Sequence, residues 1–319
     1  MNTEKKSFSM KHLLYCVFGG VLVTYLAAFL IMDILPILIA VVVNFPLEKL
    51  YQMTIGAFLG SAASEAGLMY YQFILPWIAI VVVLLIKKSW RPYLKCFGTK
   101  PRGNRISMLM LGLLIGFVMN GLCILAASLT GSLPAMTFMQ FEPLKLLILL
   151  VLVFVQSACE EALGRCFIYQ RLLHTCGLPV AIIGNSVFFA MMHLGNDGIT
   201  KLALLNIFLV GVFFSLLVYY CDSLWIAMAI HTAWNFTQNF IFGLPNSGLE
   251  SLYCIFKPNG VCSAGFTYDT VFGVEGSWSC TIIMLAAVVL TILWGRKHPG
   301  THFEVYEAQA PAAETTSNQ

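Results

Sequence analysis

Two adjacent carboxylates and a guanidinium, Glu160, Glu161 and Arg165, interrupt an otherwise apolar run from Leu144 to Leu173. On a helix, Glu161 and Arg165 are i,i+4 neighbours and can pair, while Glu160 points about 100° away and is left for another partner. Two later apolar runs supply candidates: Phe189 and His193 share one helical face, and His231 and Asn235 share another. A carboxylate that holds a water beside an imidazole can act as general base toward it. Low-dielectric surroundings make that carboxylate a stronger base than in bulk water. His231 and Asn235 can donate hydrogen bonds to the oxyanion that develops when water attacks an amide. The chemistry expected is therefore peptide hydrolysis by activated water, with Glu160, His193, His231 and Asn235 catalytic and Glu161 and Arg165 supporting. Two His and a Glu can also hold zinc, but the spacing is not H-E-x-x-H and the glutamic mechanism needs no metal, so neither metal nor cofactor is expected. The same residues have two other readings, a polar network that specifies helix packing and a proton relay in a transporter. Against the transporter stands the lack of visible repeats or broken helix pairs.

The elements that must position these groups are membrane spans. The chain of 319 residues is 59% hydrophobic and 10% charged, with a mean hydropathy of +0.83; soluble domains carry about 25% charged residues. That balance argues against an ordinary soluble enzyme, a disordered chain and a disulfide-stapled scaffold. The formal charge of +3 is too small to point to nucleic acid as a partner. Long uninterrupted apolar runs favour spanning helices over short alternating barrel strands. Eight such runs can be read: His12 to Val43, Leu68 to Ile86, Ile106 to Leu129, Leu144 to Leu173, Leu178 to Leu194, Leu202 to Tyr220, Leu224 to Phe242 and Cys280 to Gly295. The fold class expected is all-α, a polytopic transmembrane helical bundle. Lys5, Lys6 and Lys11 precede the first run, Lys87 to Arg105 lie in a basic loop free of acidic residues, and Arg296 and Lys297 follow the last run. By the positive-inside rule both termini are cytoplasmic.

Depth gives a check on the cluster. The fourth and fifth runs form a hairpin turning near Cys176, with Glu160 and His193 at similar distances on either side. His231 lies seven residues into its own run, which puts the cluster nearer the cytoplasmic side. Most of the ten Cys lie in or beside spans, where Cys behaves as a small apolar residue. Cys254 and Cys262 share the long outer loop and are candidates for a disulfide. Gly56 and Gly60, like Gly112 and Gly116, have the small-xxx-small spacing that lets helices approach closely. Residues 44 to 67 read as a polar-interrupted outer segment, and Gln309 to Gln319 as a disordered tail.

Glu160-Glu161-Ala162-Leu163-Gly164-Arg165, Phe189-Ala190-Met191-Met192-His193 and His231-Thr232-Ala233-Trp234-Asn235 resemble the three motifs of the CPBP intramembrane proteases, E-E-x-x-x-R, F-x-x-x-H and H-x-x-x-N. That family includes the Rce-type CAAX prenyl endopeptidases and the bacteriocin-processing or self-immunity (Abi) proteins. The resemblance is strong over 144 to 240, with further likeness at Ser223-Leu224-Trp225 and at Phe272 to Gly276. It implies a protease core at 144–240 between an N-terminal membrane region, 1–143, and an outer loop, last span and tail, 241–319. It implies Glu160 as general base with His193 helping to position the water, and His231 and Asn235 as the oxyanion hole. The partners implied are the bilayer and a peptide or protein substrate, lipidated in the CAAX case, at a bacterial cell membrane. A non-proteolytic scaffold or immunity partner is the alternative the family itself offers.

Overall fold

The computed structural model describes Lys11, residues 14–298 and residues 302–305. Lys5, Lys6 and the Gln309–Gln319 tail lie outside them. Each of the eight apolar runs coincides, over most of its described residues, with a helix, and the chain is an all-α polytopic bundle. The helices are α1 (Phe18–Leu59), α2 (Ser61–Ile86), α3 (Ile106–Leu129), α4 (Pro143–Cys176), α5 (Leu178–Met192), α6 (Lys201–Cys221), α7 (Leu224–Phe236, extended by a π turn Thr237–Ile241) and α8 (Trp278–Lys297). Six of these, all but α5 and α7, are long and apolar enough to cross a membrane, two fewer than the eight expected. α5 is cut short because its helical path stops at Met192, before the turns of His193–Gly198. The residues that extend α7 include Gln238 and Asn239, which lower its apolarity. The extended chain outside the helices forms one short antiparallel pair among the described residues, β1 (Met136–Phe138) with β2 (Phe256–Pro258).

Residues 44–67 correct the reading of an outer segment: the helix begun in the first run continues through Pro46 to Leu59, and α2 starts at Ser61. Gly60, with φ +79, is the break between the two helices and not part of a helix-packing stripe. Gly112 and Gly116 behave as the spacing predicts. A Cβ added at Gly116 would lie 2.4 Å from the Ile230 carbonyl, and one at Gly112 would lie 2.7 Å from the Ala229 Cβ. Only hydrogen at these positions lets α3 lie against α7.

α4 and α7 are the inner helices. Every residue of α7 from Ile226 to Asn235 is buried, and two-thirds of the most apolar stretch of α4 is buried as well. The start of α7 is fixed from outside the helix. Ser223 accepts from the Ile226 amide, while the buried Asn104 side chain accepts from Leu224 N at 2.9 Å and donates to the carbonyls of Cys96 and Gly98 at 2.7 Å. These bonds satisfy amides that a helix start otherwise leaves unpaired. α4 turns into α5 at Gly177, where φ is +87, a conformation that favours glycine. Beside this hairpin the amphipathic 3₁₀ turn Lys88–Phe97 lays Trp90 and Tyr93 on Phe167, ring centroids 4.9 and 5.2 Å apart.

All ten Cys, among the described residues, are free thiols. The pairing considered for Cys254 and Cys262 is not formed: Cys254 is buried against Gly243, and Cys262 packs beside Tyr268.

Candidate active site

The α-helical part of α4 ends at Glu161 and gives way to a π turn over Ala162–Ile168; such turns are frequent at functional sites because they re-aim side chains. Glu161 and Arg165 still pair across the change, with Nη1 to Oε1 at 3.0 Å and both side chains fully buried. The guanidinium carbon lies 4.4 Å from the Phe189 ring centre and 5.1 Å from that of Phe214. Aromatic faces thus replace hydrogen-bond partners, which Arg165 Nε and Nη2 lack among the described residues.

The same Glu161 Oε1 is met by His231 Nδ1 at 3.0 Å. With Nδ1–H donated to Glu161, the tautomer is set, and Nε2 faces Glu160 Oε2 at 3.8 Å. Glu160 Oε2 is buried and has no hydrogen-bond partner among the described residues. Its other oxygen accepts from Gln156 Nε2 at 2.5 Å. Gln156 Oε1 in turn accepts from Asn235 Nδ2 at 3.1 Å and Ser157 Oγ at 3.1 Å. Gln156 is therefore the bridge between carboxylate and amide, and it was missed from sequence. It sits one helical turn before Glu160, and that i,i+4 position was the available signal.

His193 stands where α5 ends, not within the helix, with φ −96 and ψ 0. Its Nδ1 lies 2.8 Å from the Phe189 carbonyl, so Nδ1–H is donated there and Nε2 keeps its lone pair. Glu160, His193, His231 and Asn235 all line one cavity of about 440 Å³. The structure thus brings the four expected residues to one space, with Glu161 and Arg165 behind its wall. Among the described residues His193 has no direct hydrogen bond to Glu160; both side chains face the same cavity.

The loop between α7 and α8 also reaches the site. Asn246 donates to Asn235 Oδ1 at 3.3 Å and to Glu275 Oε1 at 3.0 Å. Glu275 further accepts from Trp234 Nε1 at 2.8 Å and from the Ser247 amide at 2.6 Å. Burial pushes the Glu275 carboxyl above its usual range, and its bonds from Ser247 and Trp234 oppose that rise. With Oδ1 accepting from Asn246, the Asn235 amide is oriented so that Nδ2 is the donor on the Gln156 side.

The chain is thus a polytopic helical bundle with buried Glu, His and Asn around one cavity. Residues 142–237 match the Rce1-like family, described as type II CAAX prenyl endopeptidase Rce1-like, which supports the CPBP/Rce1 resemblance over this segment. No match is found among curated proteins or among solved structures. The family match supports a CAAX-type intramembrane endopeptidase as the general activity, acting on a peptide or protein from within the membrane.

Proposed function

We propose that this protein hydrolyses a peptide bond by water activated between Glu160 and His193, in a glutamic mechanism with no metal. The observation that carries the reading is Glu160 Oε2, buried, without a hydrogen-bond partner among the described residues and 3.8 Å from His231 Nε2, in a residue that lines the same cavity as His193, His231 and Asn235. Water held by Glu160 Oε2 and His193 Nε2 gives its proton to Glu160 as its oxygen adds to the substrate carbonyl carbon. The carbonyl oxygen becomes an oxyanion that accepts hydrogen bonds from Asn235 Nδ2 and His231. Because His231 Nδ1–H is committed to Glu161, Asn235 Nδ2 is the standing donor to the oxyanion, and His231 Nε2 adds its bond when it carries a proton. Protonated Glu160 then delivers its proton to the departing amide nitrogen as the C–N bond breaks, leaving a new carboxyl and a new amine.

His231 lies seven residues from the start of α7, about 10 Å along the helix, so the reading puts cleavage nearer the membrane face that carries the basic loops. The substrate we propose is a peptide or protein segment held in a bacterial cell membrane. A lipidated CAAX protein and a bacteriocin-like peptide are the classes that the family resemblance offers; nucleic acid is not a partner in this reading. Glu160→Gln keeps the size and the Gln156 bond but removes the base. Membrane peptides from cells carrying wild-type or Glu160→Gln protein, compared by mass spectrometry, should differ by the cleavage products, with the purified variant unfolding at the same midpoint. Retained cleavage would sink the mechanism. Intact peptides throughout, together with loss of a bound partner in the variant, would favour the scaffold.

A further inference from the structure

A third carboxylate, Asp33 of α1, lines the cavity that holds Glu160. It lies in an apolar stretch between Phe29 and Val43 and has no hydrogen bond or ion pair among the described residues. An unpaired carboxylate at the centre of a spanning helix is disfavoured by about 2.5–3.5 kcal/mol on insertion scales, so such a residue calls for a partner. The local backbone gives Asp33 an unusual setting. Leu30–Ile34 is a π turn, and Pro36 follows with no N–H to offer the Met32 carbonyl. Met32, Asp33, Pro36 and Ile37 together form the α1 side of the cavity wall.

The charge of this wall is one-sided. Its ionisable groups are Asp33, Glu160, the two imidazoles and the Tyr70 phenol, and no Lys or Arg lines it. The polar groups between, such as Gln72 and Asn196, are neutral. A substrate carboxylate brought to the α1 side of this wall would meet Asp33 and Glu160 with no Lys or Arg to offset them. A Lys or Arg side chain meets the opposite situation, with Met32, Pro36 and Ile37 to cover its aliphatic stem and Asp33 for its charged end. We propose that Asp33 forms a subsite for a basic side chain of the substrate, so that the segment cleaved carries a Lys or Arg within reach of α1. The proposal rests on the cavity being the site of hydrolysis and adds the chemistry of what it accepts.

The test uses full-length protein in detergent and a set of 20-residue Leu/Ala peptides. Each carries one Lys at a successive position and is matched by a norleucine peptide of similar length and apolar bulk. Binding is measured to Glu160→Gln protein, so that it does not depend on turnover, and cleavage is measured with the wild type. At one or more positions the Lys peptide should bind at least about tenfold more tightly than its norleucine match, equivalent to ~1.4 kcal/mol. In Glu160→Gln/Asp33→Asn protein that ratio should fall to near one, while Asp33→Glu in the same background should retain most of it. Equal binding of Lys and norleucine peptides at every position overturns the subsite, and so does a ratio unchanged by Asp33→Asn. Lys-selective binding with no peptide cleaved supports the subsite and counts against the hydrolytic reading instead, so the two failures are separable.

Discussion

Replacing Arg165 by Met should destabilise the fold by several kcal/mol, and replacing Glu161 at the same time should recover most of that loss. Both side chains are fully buried, and their single contact at 3.0 Å is the only polar bond the guanidinium makes among the described residues. Removing one partner of a buried pair strands the other and costs about 3–5 kcal/mol. The two aromatic faces at 4.4 and 5.1 Å add about 0.5–2 kcal/mol to what Arg165→Met loses. Glu161→Gln strands the guanidinium in the same way but leaves a side-chain oxygen that can still accept from His231. In the double variant no charge is stranded and Met fills the slot between Phe189 and Phe214, so its cost should be at most about 2 kcal/mol. A double-mutant cycle should therefore give a coupling of about 3 kcal/mol or more. The assay is reversible unfolding in mixed micelles at neutral pH, followed by tryptophan fluorescence and circular dichroism. Losses that simply add, or an Arg165→Met loss below about 1 kcal/mol, would mean that the pair is solvated and would refute the burial of Glu161 and Arg165.

Two further outcomes follow from the packing and the loop. Gly116→Leu should lower the unfolding midpoint by the equivalent of about 1–3 kcal/mol and slow cleavage, because its side chain would push α7 from the Ile230 carbonyl 2.4 Å away. Gly121→Leu, where nothing lies within 4 Å, should do neither. The raised pKa of Glu275 has a definite sign. The folded carboxyl binds its proton more readily than the unfolded one, whose ordinary value is 4.5. It thus favours the fold fully below pH 4.5, and that contribution is lost as pH rises through the higher folded value. The midpoint of wild type relative to Glu275→Gln should accordingly fall from acid toward neutral pH and then level off; a flat or rising difference would refute the burial of this group.

Charge made the centre of the site legible. In a sequence this apolar, Glu160, Glu161 and Arg165 stand out because their presence in a bilayer is costly, and helical spacing alone pairs Glu161 with Arg165. The helices were legible for the related reason that lipid demands long apolar runs. The helix beyond Val43 was hidden by Pro46 and by polar side chains that a helix leaving the bilayer tolerates. Gln156 and Asn246 were hidden because neutral amides carry little insertion cost and are common in loops. Glu275 lay in a loop, where a carboxylate is unremarkable until the chain folds it against Trp234. Asp33 escaped notice as one polar residue in a long apolar run, and only the cavity gives it a context. No local pattern encodes that α5 stops at Met192, since it depends on how His193 and the following turns meet their neighbours.

The shortness of α5 bears on how a hydrolase obtains water inside oil. Fifteen residues of helix rise about 22 Å, against a hydrocarbon thickness of roughly 30 Å. The polar turns that follow, with Gly195, Asn196 and Asp197, carry peptide groups that need hydrogen-bond partners wherever lipid would otherwise meet them. His193 and Asn196 both line the cavity, so solvent that satisfies those turns would have a polar path to the imidazole, and ending α5 early would serve the proposed hydrolysis by admitting its second reactant.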